Sequence, residues 1–454
     1  MRTDLTDGKP SKLILLFTVP LLIGNLFQQF YSMADTIIVG RTINVYALAA
    51  VGATGAISFL ILGFVQGITS GFSVITAQRV GADDEDGIRR SVAVSFVLSI
   101  GVTIIFTVLS VLTARPLLEL MRTPSDIIDD AYRYIIVIYY GIAAAVFFNL
   151  FSSILRALGD SKTPLLFLII ACAINIVLDF ICILTFRMGV AGAGWATVIA
   201  QAVSAVLCLF YSLRKFPVLR LKKEDFAFSW RFAWEHLRIG IPMAFQFSII
   251  AIGVMIMQAA LNDFGSQTVA AFTAASKIEN IVAQPLNSLG VTASVFAAQN
   301  YGAGKIERIR EGVRKSTLFS LSWAIAGGLL VIFGGQFLTQ LFVGESDVTV
   351  LEQSQFYLNI MGAFLFPLGQ LFIYRNVLQG MGRGGMPVFV GFVELAMRAF
   401  AAFCLTIPFG YLGVCLANPV AWIGAAIPLA IAYFYCMHKM KQKDHSALKT
   451  EHKI

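Results

Sequence analysis

Long apolar segments alternate along the chain with short clusters of glycine, proline and charged residues. Most of these segments reach the length of about 20 residues that a helix needs to cross a bilayer. Twelve can be counted, at approximately residues 13–39, 48–77, 91–114, 131–156, 164–186, 190–213, 237–261, 268–297, 315–343, 354–379, 386–409 and 411–438. The pattern predicts an all-α polytopic membrane protein with twelve transmembrane helices.

The composition of the 454 residues agrees with a membrane protein. Apolar residues make up 57% of the chain and charged residues only 13%, whereas a soluble protein carries about 25% charged residues. The six cysteines lie in apolar segments and form no CxxC pair. They are therefore interpreted as small core residues rather than disulfides or metal ligands.

The basic residues predict the orientation of the chain. If the N-terminus is cytoplasmic, 26 of the 34 Lys and Arg residues fall in cytoplasmic segments, four fall outside and four fall within spans. This asymmetry follows the positive-inside rule and predicts a multi-pass protein of the cell membrane with both termini cytoplasmic. The net charge of +8 is thereby explained by topology and contact with membrane lipid rather than by nucleic-acid binding.

The two halves of the chain repeat each other with a shift of 221–223 residues. Corresponding positions are Pro20 and Pro242, Leu155 and Leu378, Gly159 and Gly382, Pro164 and Pro387, Gly189 and Gly410, Gly192 and Gly413, and Ala196 and Ala417. Six spans per half give both halves the same orientation, and such parallel repeats are typical of transporters. The predicted organisation is two pseudo-symmetric six-helix lobes: an N-lobe at 1–213, an interfacial linker at 214–236, a C-lobe at 237–440 and a basic tail at 441–454.

A polar stripe runs along the first span. Asn25, Gln28, Ser32 and Asp35 are spaced three, four and three residues apart, so they lie on one face of a helix. A carboxylate in lipid is costly, so this face is expected to point into a protein interior or a water-filled cavity.

Further polar residues occur at helical spacing in spans five and six. Asn175 and Asp179 are four residues apart, as are Thr197 and Gln201. Two carboxylates, Asp35 and Asp179, with an amide and a hydroxyl offer hard oxygen ligands, which suit Na⁺ or a pair of protonatable carboxyl groups. Two other interpretations remain open. Each Asp could pair only with a polar neighbour or cap a helix break, and Thr197 could serve as a hydroxyl at a helix contact.

The second half departs from this pattern. The repeat places Met257 and Ala401 where the first half has Asp35 and Asp179. Charged residues occur elsewhere in its spans, at Lys277, Glu279, Arg375, Glu394 and Arg398. The spacing of Glu394 and Arg398 predicts a structural ion pair, although either Glu could also line the path of a cationic substrate. Asn149 in span four is interpreted as a hydrogen-bond partner across helices or as a cavity-lining residue.

These residues resemble the multidrug and toxic compound extrusion (MATE) family of antiporters. The resemblance covers nearly the whole chain and includes FQQFYSMADTIIVG in span one, and LRALGDSKTP at 155–164 with its counterpart LQGMGRGGMP at 378–387. It implies export of cationic or amphipathic compounds, driven by uptake of Na⁺ or H⁺. The sequence contains no P-loop, so no ATP and no other cofactor is expected. In members with an N-lobe cation site, the matching residues are Asp35, Asn175, Asp179 and Thr197, and the first helix bends at a proline that matches Pro20.

Some family members carry acidic residues in the seventh and tenth helices. Here the seventh span has no acidic residue, and the tenth has Gln370 and Arg375. The coupling site is therefore expected in the first lobe. The alternative functions are a flippase for a lipid-linked or polysaccharide precursor and a membrane-embedded enzyme. The second is disfavoured because no HExxH motif or nucleotide-binding loop occurs in the sequence.

Overall fold

The computed structural model describes residues 4–121, 123–227, 229–262, 264–343 and 348–451, so Arg2, Arg122, Phe228 and residues 452–454 of the predicted tail lie outside the described residues. Within these ranges the regular structure is helical. The helices are α1 Pro10–Thr42, α2 Val45–Ala53, α3 Gly55–Gly81, α4 Glu85–Leu120, α5 Ile128–Tyr140, α6 Ile142–Ala157, α7 Lys162–Phe180, α8 Val190–Lys215, α9 Trp230–Asn262, α10 Ser266–Gly302, α11 Ile306–Val343, α12 Val348–Ala363, α13 Leu365–Gly380, α14 Gly385–Phe400, α15 Thr406–Phe409 and α16 Tyr411–Glu451.

The predicted number of spans is confirmed. Ten helical segments in the described ranges are long and apolar enough to cross a membrane, and two bent helix pairs raise the number to twelve. The bent pairs are α5 with α6, which meet at 48°, and α12 with α13, which meet at 51°. They are the fourth span of each half, so the bend itself is repeated.

Irregular backbone also recurs at equivalent places in the two halves. A π-helical segment follows α7 at Ile181–Thr185, and another follows α14 at Ala401–Leu405. Each is followed by a glycine with positive φ, Gly189 at 59° and Gly410 at 55°, a conformation that is strained for residues with a side chain. These glycines belong to the repeat found in the sequence, which explains why both halves retain them.

The chain forms two compact units. The first contains Met1–Asp4 and Val19–Ser248, and the second contains Leu5–Thr18 and Ile249–Ile454. Helix α1 belongs to the second unit up to Thr18, and α9 belongs to the first unit from Trp230 to Ser248. The division within α1 falls two residues before Pro20, the proline inside this helix.

The segment predicted as a linker at 214–236 is partly helical. Helix α8 continues to Lys215 and α9 already begins at Trp230, with short 3-10 turns at Pro217–Leu219 and Lys223–Phe226 between them. Arg231 and Glu235 interrupt the apolar pattern at the start of α9, which is why the sequence placed its beginning later. The exposed Trp230 and Trp234 retain the character of an interfacial segment.

The first unit is held together by close helix packing. One of its buried clusters includes Val65, Phe72, Ile138 and Val146. Helix α3 approaches α9 so closely at Gly67 that a Cβ there would lie 2.6 Å from the carbonyl oxygen of Met243. Glycine at this position therefore allows the two backbones to touch, as is common between membrane helices.

The loop before α7 is fixed by one carboxylate. Asp160 accepts hydrogen bonds from the backbone N–H of Thr163 (3.0 Å), from its hydroxyl (2.7 Å) and from Nζ of Lys215 (2.8 Å). Burial alone would raise the pKa of Asp160, but the hydrogen bonds from Lys215 and Thr163 outweigh it and hold this pKa below its ordinary value. The aspartate of the sequence LRALGDSKTP thus anchors the start of α7 to the end of α8.

Candidate functional site

Two acidic side chains meet in the interior of the first unit. Asp35 on α1 is 8% exposed and Asp179 at the end of α7 is fully buried. Their carboxyl groups are close enough for a hydrogen bond between them. Oδ1 of each has no hydrogen-bond partner among the described residues. Because like charges repel and buried polar atoms need partners, this arrangement could accept a proton or a small cation between the carboxyl groups.

An amide and a hydroxyl complete this group. Asn175, one turn before Asp179, is fully buried. In the orientation that satisfies both ends of its amide, Nδ2 donates to Oδ2 of Asp179 (3.2 Å) and Oδ1 accepts from the backbone N–H of Thr197 on α8 (3.2 Å). The structure therefore brings together Asp35, Asn175, Asp179 and Thr197, from three helices that are separate along the chain.

The sequence analysis missed two tyrosines beside this cluster. The hydroxyl of Tyr31 on α1 donates to Oγ1 of Thr197 at 3.2 Å, and so joins α1 to α8. Tyr134 on α5 lies within electrostatic range of both carboxyl groups, as does Tyr31. Tyr31 stands four residues before Asp35, on the same face of α1. That spacing was the available signal, but tyrosine is too common in apolar helices to be singled out by it.

The remaining residues of the polar stripe are less buried than Asp35. Asn25 is half-buried, whereas Gln28 and Ser32 are exposed. Gly24, beside Asn25, packs near α7, since a Cβ there would lie 3.7 Å from Leu165. Only one end of the stripe therefore belongs to the buried cluster.

Two other predicted cavity residues, Asn149 and Gln201, are half-buried. Asn149 on α6 is half-buried, and its Nδ2 donates to the carbonyl oxygen of Ala145 in the same helix (2.9 Å). Gln201 is half-buried on α8, one turn after Thr197. The hydrogen bond of Asn149 thus stays within its own helix rather than crossing to another.

The second unit contains a separate charged cluster around a cavity. Glu394 on α14 is 5% exposed and forms the ion pair with Arg398 that its spacing predicts, at 3.0 Å. It also binds Arg375 of α13, a partner that the spacing does not reveal. Glu279 on α10 accepts a hydrogen bond from the hydroxyl of Tyr357. Both predicted glutamates line the cavity, but protein donors already bind them.

Comparison with known proteins identifies the family of the chain. The MatE family model matches residues 20–181 and again residues 242–412. The chain belongs to the MATE family. The two matches begin at Pro20 and Pro242, the first pair of positions in the internal repeat, so each half of this MATE protein is one copy of the family unit.

Individual relatives are similar over most of their length. The chain is 30% identical to the probable multidrug resistance protein YpnP of Bacillus subtilis, over 84% of both chains. It is 26% identical to the probable multidrug resistance protein NorM of Thermotoga maritima, over 85% of this chain and 83% of the relative. A crystal structure of MATE in the bent conformation has the same fold, with a TM-score of 0.90 at 24% identity and coverage of 97% and 98%. The protein is thus a member of the MATE multidrug efflux transporter family.

Proposed function

We propose that this MATE protein is an antiporter that exports cationic or amphipathic compounds from the cytoplasm in exchange for Na⁺ or H⁺. The observation that carries the proposal is the meeting of Asp35 and Asp179 from different helices in the interior of the first unit. Ionisable residues inside membrane proteins are costly and mark ion or substrate pathways. The predicted orientation, with both termini in the cytoplasm, belongs to the same proposal.

The coupling cation would bind to oxygen atoms from three helices. The Oδ1 atoms of Asp35 and Asp179, which have no hydrogen-bond partner among the described residues, supply negative charge, and the hydroxyl of Thr197 supplies a neutral oxygen. Asn175 would add its amide oxygen when the amide turns over, so that Nδ2 faces Oγ1 of Thr197 (3.4 Å) and Oδ1 faces Asp179. Carboxylate, amide and hydroxyl oxygens are ligands that suit Na⁺. A proton placed between the carboxyl groups would relieve the same repulsion, so either cation fits this set of side chains.

The cation would act by changing how α1 packs. Without it, the two carboxylates repel each other and push α1 away from α7; with it, the two helices are drawn together. Pro20 cannot donate the backbone hydrogen bond that a residue at this position of a helix would make, so α1 can bend there. The division of the chain between Thr18 and Val19, next to Pro20, supports Pro20 as the hinge.

Such a cycle requires that cation and substrate prefer different conformations. A ligand shifts an equilibrium only by its difference in affinity between the two states. In the proposed cycle, a cation entering from outside stabilises the conformation that binds substrate weakly, and the substrate is released outward. The relatives named as multidrug resistance proteins support a broad set of small-molecule substrates.

The proposal is tested by efflux of ethidium from proteoliposomes. We expect Asp35→Asn to abolish ethidium transport driven by a Na⁺ or proton gradient, because only one carboxylate then remains at the site. The matched control is Asp126→Asn, which replaces an exposed aspartate of the same unit and should leave transport unchanged. Full transport by Asp35→Asn would exclude this mechanism.

A further inference from the structure

The cavity of the second unit has the size and lining of a small-molecule site. Its volume is about 410 Å³, within the range of about 300–1,000 Å³ that is typical of ligand pockets. Apolar side chains such as Met257, Phe372 and Trp422 form much of its wall. The charged lining residues are three basic and two acidic: Lys277, Glu279, Arg375, Glu394 and Arg398.

Both acidic residues of this cavity are already bound by protein donors. Oε2 of Glu394 accepts from Nη2 of Arg375 (2.5 Å), and Oε1 accepts from Nη2 of Arg398 (3.0 Å). Glu279 accepts from the hydroxyl of Tyr357 (2.5 Å), which in turn accepts from Nδ2 of Asn418 (3.2 Å). A cationic ligand would have to displace one of these donors, so the cavity is poorly arranged for a cation.

The two arginines, in contrast, carry more N–H donors than Glu394 can accept. Arg375 is 1% exposed and Arg398 is 7% exposed, and a guanidinium group carries five N–H donors. One carboxylate serves both arginines, and within the described residues the Nε atoms of both lack a hydrogen-bond partner. Buried charges are costly unless they are paired. Glu279 also interacts electrostatically with Arg398, so the lining as a whole has three basic and two acidic residues and one positive charge in excess.

The backbone is shaped to accept one of these arginines. Gly253 on α9 lies against Arg398, and a Cβ at this position would overlap Nη1 of the guanidinium group. A glycine at the wall of the cavity thus makes the space that Arg398 occupies. Lys277 on α10 adds a further positive charge at an exposed position of the lining.

We propose that this cavity binds the carboxylate of an amphipathic substrate. The guanidinium groups of Arg375 and Arg398 supply charge-assisted hydrogen bonds to the carboxylate, and Lys277 adds attraction. The rings of Phe372 and Trp422 contact the apolar body of the substrate. This inference rests on the proposed export function and adds to its substrate class amphipathic molecules that carry an acidic group, including zwitterions.

The test compares one fluorescent probe in two charge states. A carboxyrhodamine and its methyl ester share the same aromatic body and differ at the carboxylate. Their affinities for the purified full-length protein in non-ionic detergent are measured by fluorescence polarisation. We expect the carboxyrhodamine to bind about tenfold more tightly than the ester, the effect of one charge-assisted hydrogen bond. Equal affinities, or tighter binding of the ester, would overturn the proposal.

Three variants assign this preference to the cavity. Arg398→Gln leaves the bond between Arg375 and Glu394 in place and should remove most of the preference while leaving the affinity for the ester unchanged. Lys277→Gln, at an exposed position that folding tolerates, should reduce the preference severalfold. Arg383→Gln removes an exposed arginine outside the cavity and should change nothing. A wild-type preference in both Arg398→Gln and Lys277→Gln would contradict the proposal.

The cation site provides a check that separates this inference from the proposed function. Asp179→Asn should abolish transport driven by a cation gradient and leave the preference for the carboxyrhodamine intact, because this variant alters only the first unit. Loss of the preference in Asp179→Asn would count against a site formed by Arg375 and Arg398. Gradient-driven transport that persists in Asp179→Asn would count instead against the coupling mechanism.

Discussion

Replacing Asp179 by asparagine removes one of the two carboxylates from the candidate cation site with little change of shape. The new side chain is as large as the old one, and its amide oxygen can still accept the hydrogen bond from Nδ2 of Asn175. The fold of the first unit should therefore persist. Any loss of cation binding then reports the missing charge rather than a collapse of the site.

The burial of the two carboxyl groups sets the magnitude of this loss. Asp35 is 8% exposed and Asp179 is 0% exposed, so an effective dielectric constant of about 20 rather than about 80 applies. A cation about 4 Å from a carboxylate then gains about 4 kcal/mol from it. The loss corresponds to a decrease of about a thousandfold in affinity.

The assay is the shift of the thermal unfolding temperature of purified protein with cation concentration. One series varies Na⁺ at constant pH, and the other varies pH without Na⁺. A cation that binds only the folded state raises the unfolding temperature as its concentration passes its dissociation constant. For the cation that binds, we expect the concentration at which the unfolding temperature rises to increase about a thousandfold in Asp179→Asn. This concentration should not change in Asp126→Asn. A shift of less than about threefold, under 1 kcal/mol, would refute the assignment of Asp179 as a ligand.

Three further predictions concern neighbouring contacts. Tyr31→Phe removes the hydroxyl that orients Thr197 and should weaken cation binding in the same assay about fivefold, the effect of a net hydrogen bond of about 1 kcal/mol. The control Tyr140→Phe, at an exposed position, should have no effect. Equal cation affinities of the two variants would contradict a role for Tyr31. Gly67→Ala forces a methyl group against the backbone of α9 and should lower the free energy of unfolding by about 1–3 kcal/mol. Gly101→Ala, where a Cβ meets open space, should not lower it. The unfolding temperatures of the two variants are compared with that of the wild-type protein. Asp160→Asn should lower the unfolding temperature at neutral pH and lose this effect in acid. The depressed pKa of Asp160 means that its stabilisation exists above the pKa of the unfolded state and disappears as pH falls through that of the folded state. A difference from wild type that stayed constant with pH would contradict this.

The sequence predicted the number of spans and their repetition because the bilayer imposes a strong and simple pattern. Each span must be long and apolar, and both halves share the glycines with positive φ, such as Gly189 and Gly410. The start of α9 was placed too late because residues such as Arg231 and Glu235 break the apolar pattern while remaining helical. Hydropathy identifies the apolar part of a helix, not where the helix begins.

The grouping of the candidate cation site was predictable in part. Carboxylates are so rare in membrane spans that Asp35 and Asp179 stand out, and helical spacing added Asn175. Spacing places residues on one face of a helix but does not say which neighbour covers each part of that face. This is why Gln28 and Ser32 are exposed although they share a stripe with Asp35.

The sequence did not predict which side chains of different helices contact each other. The bond between Arg375 and Glu394 joins α13 to α14, and the bond between Tyr31 and Thr197 joins α1 to α8. Neither pair has a spacing that marks it, since each depends on how whole helices pack. The spacing of four residues between Glu394 and Arg398 predicted their ion pair but gave no indication that Arg375 also binds Glu394.

The central claim is that Asp35 and Asp179 together bind the small cation whose uptake drives the export of substrate. The most direct measurement is uptake of ethidium into proteoliposomes against its own concentration gradient, with a Na⁺ gradient and a proton gradient imposed separately. The account predicts that one of these gradients drives concentrative uptake by the wild-type protein, and that the double variant Asp35→Asn with Asp179→Asn shows none. Concentrative uptake by the double variant, or uptake by the wild-type protein that is independent of both gradients, would contradict it.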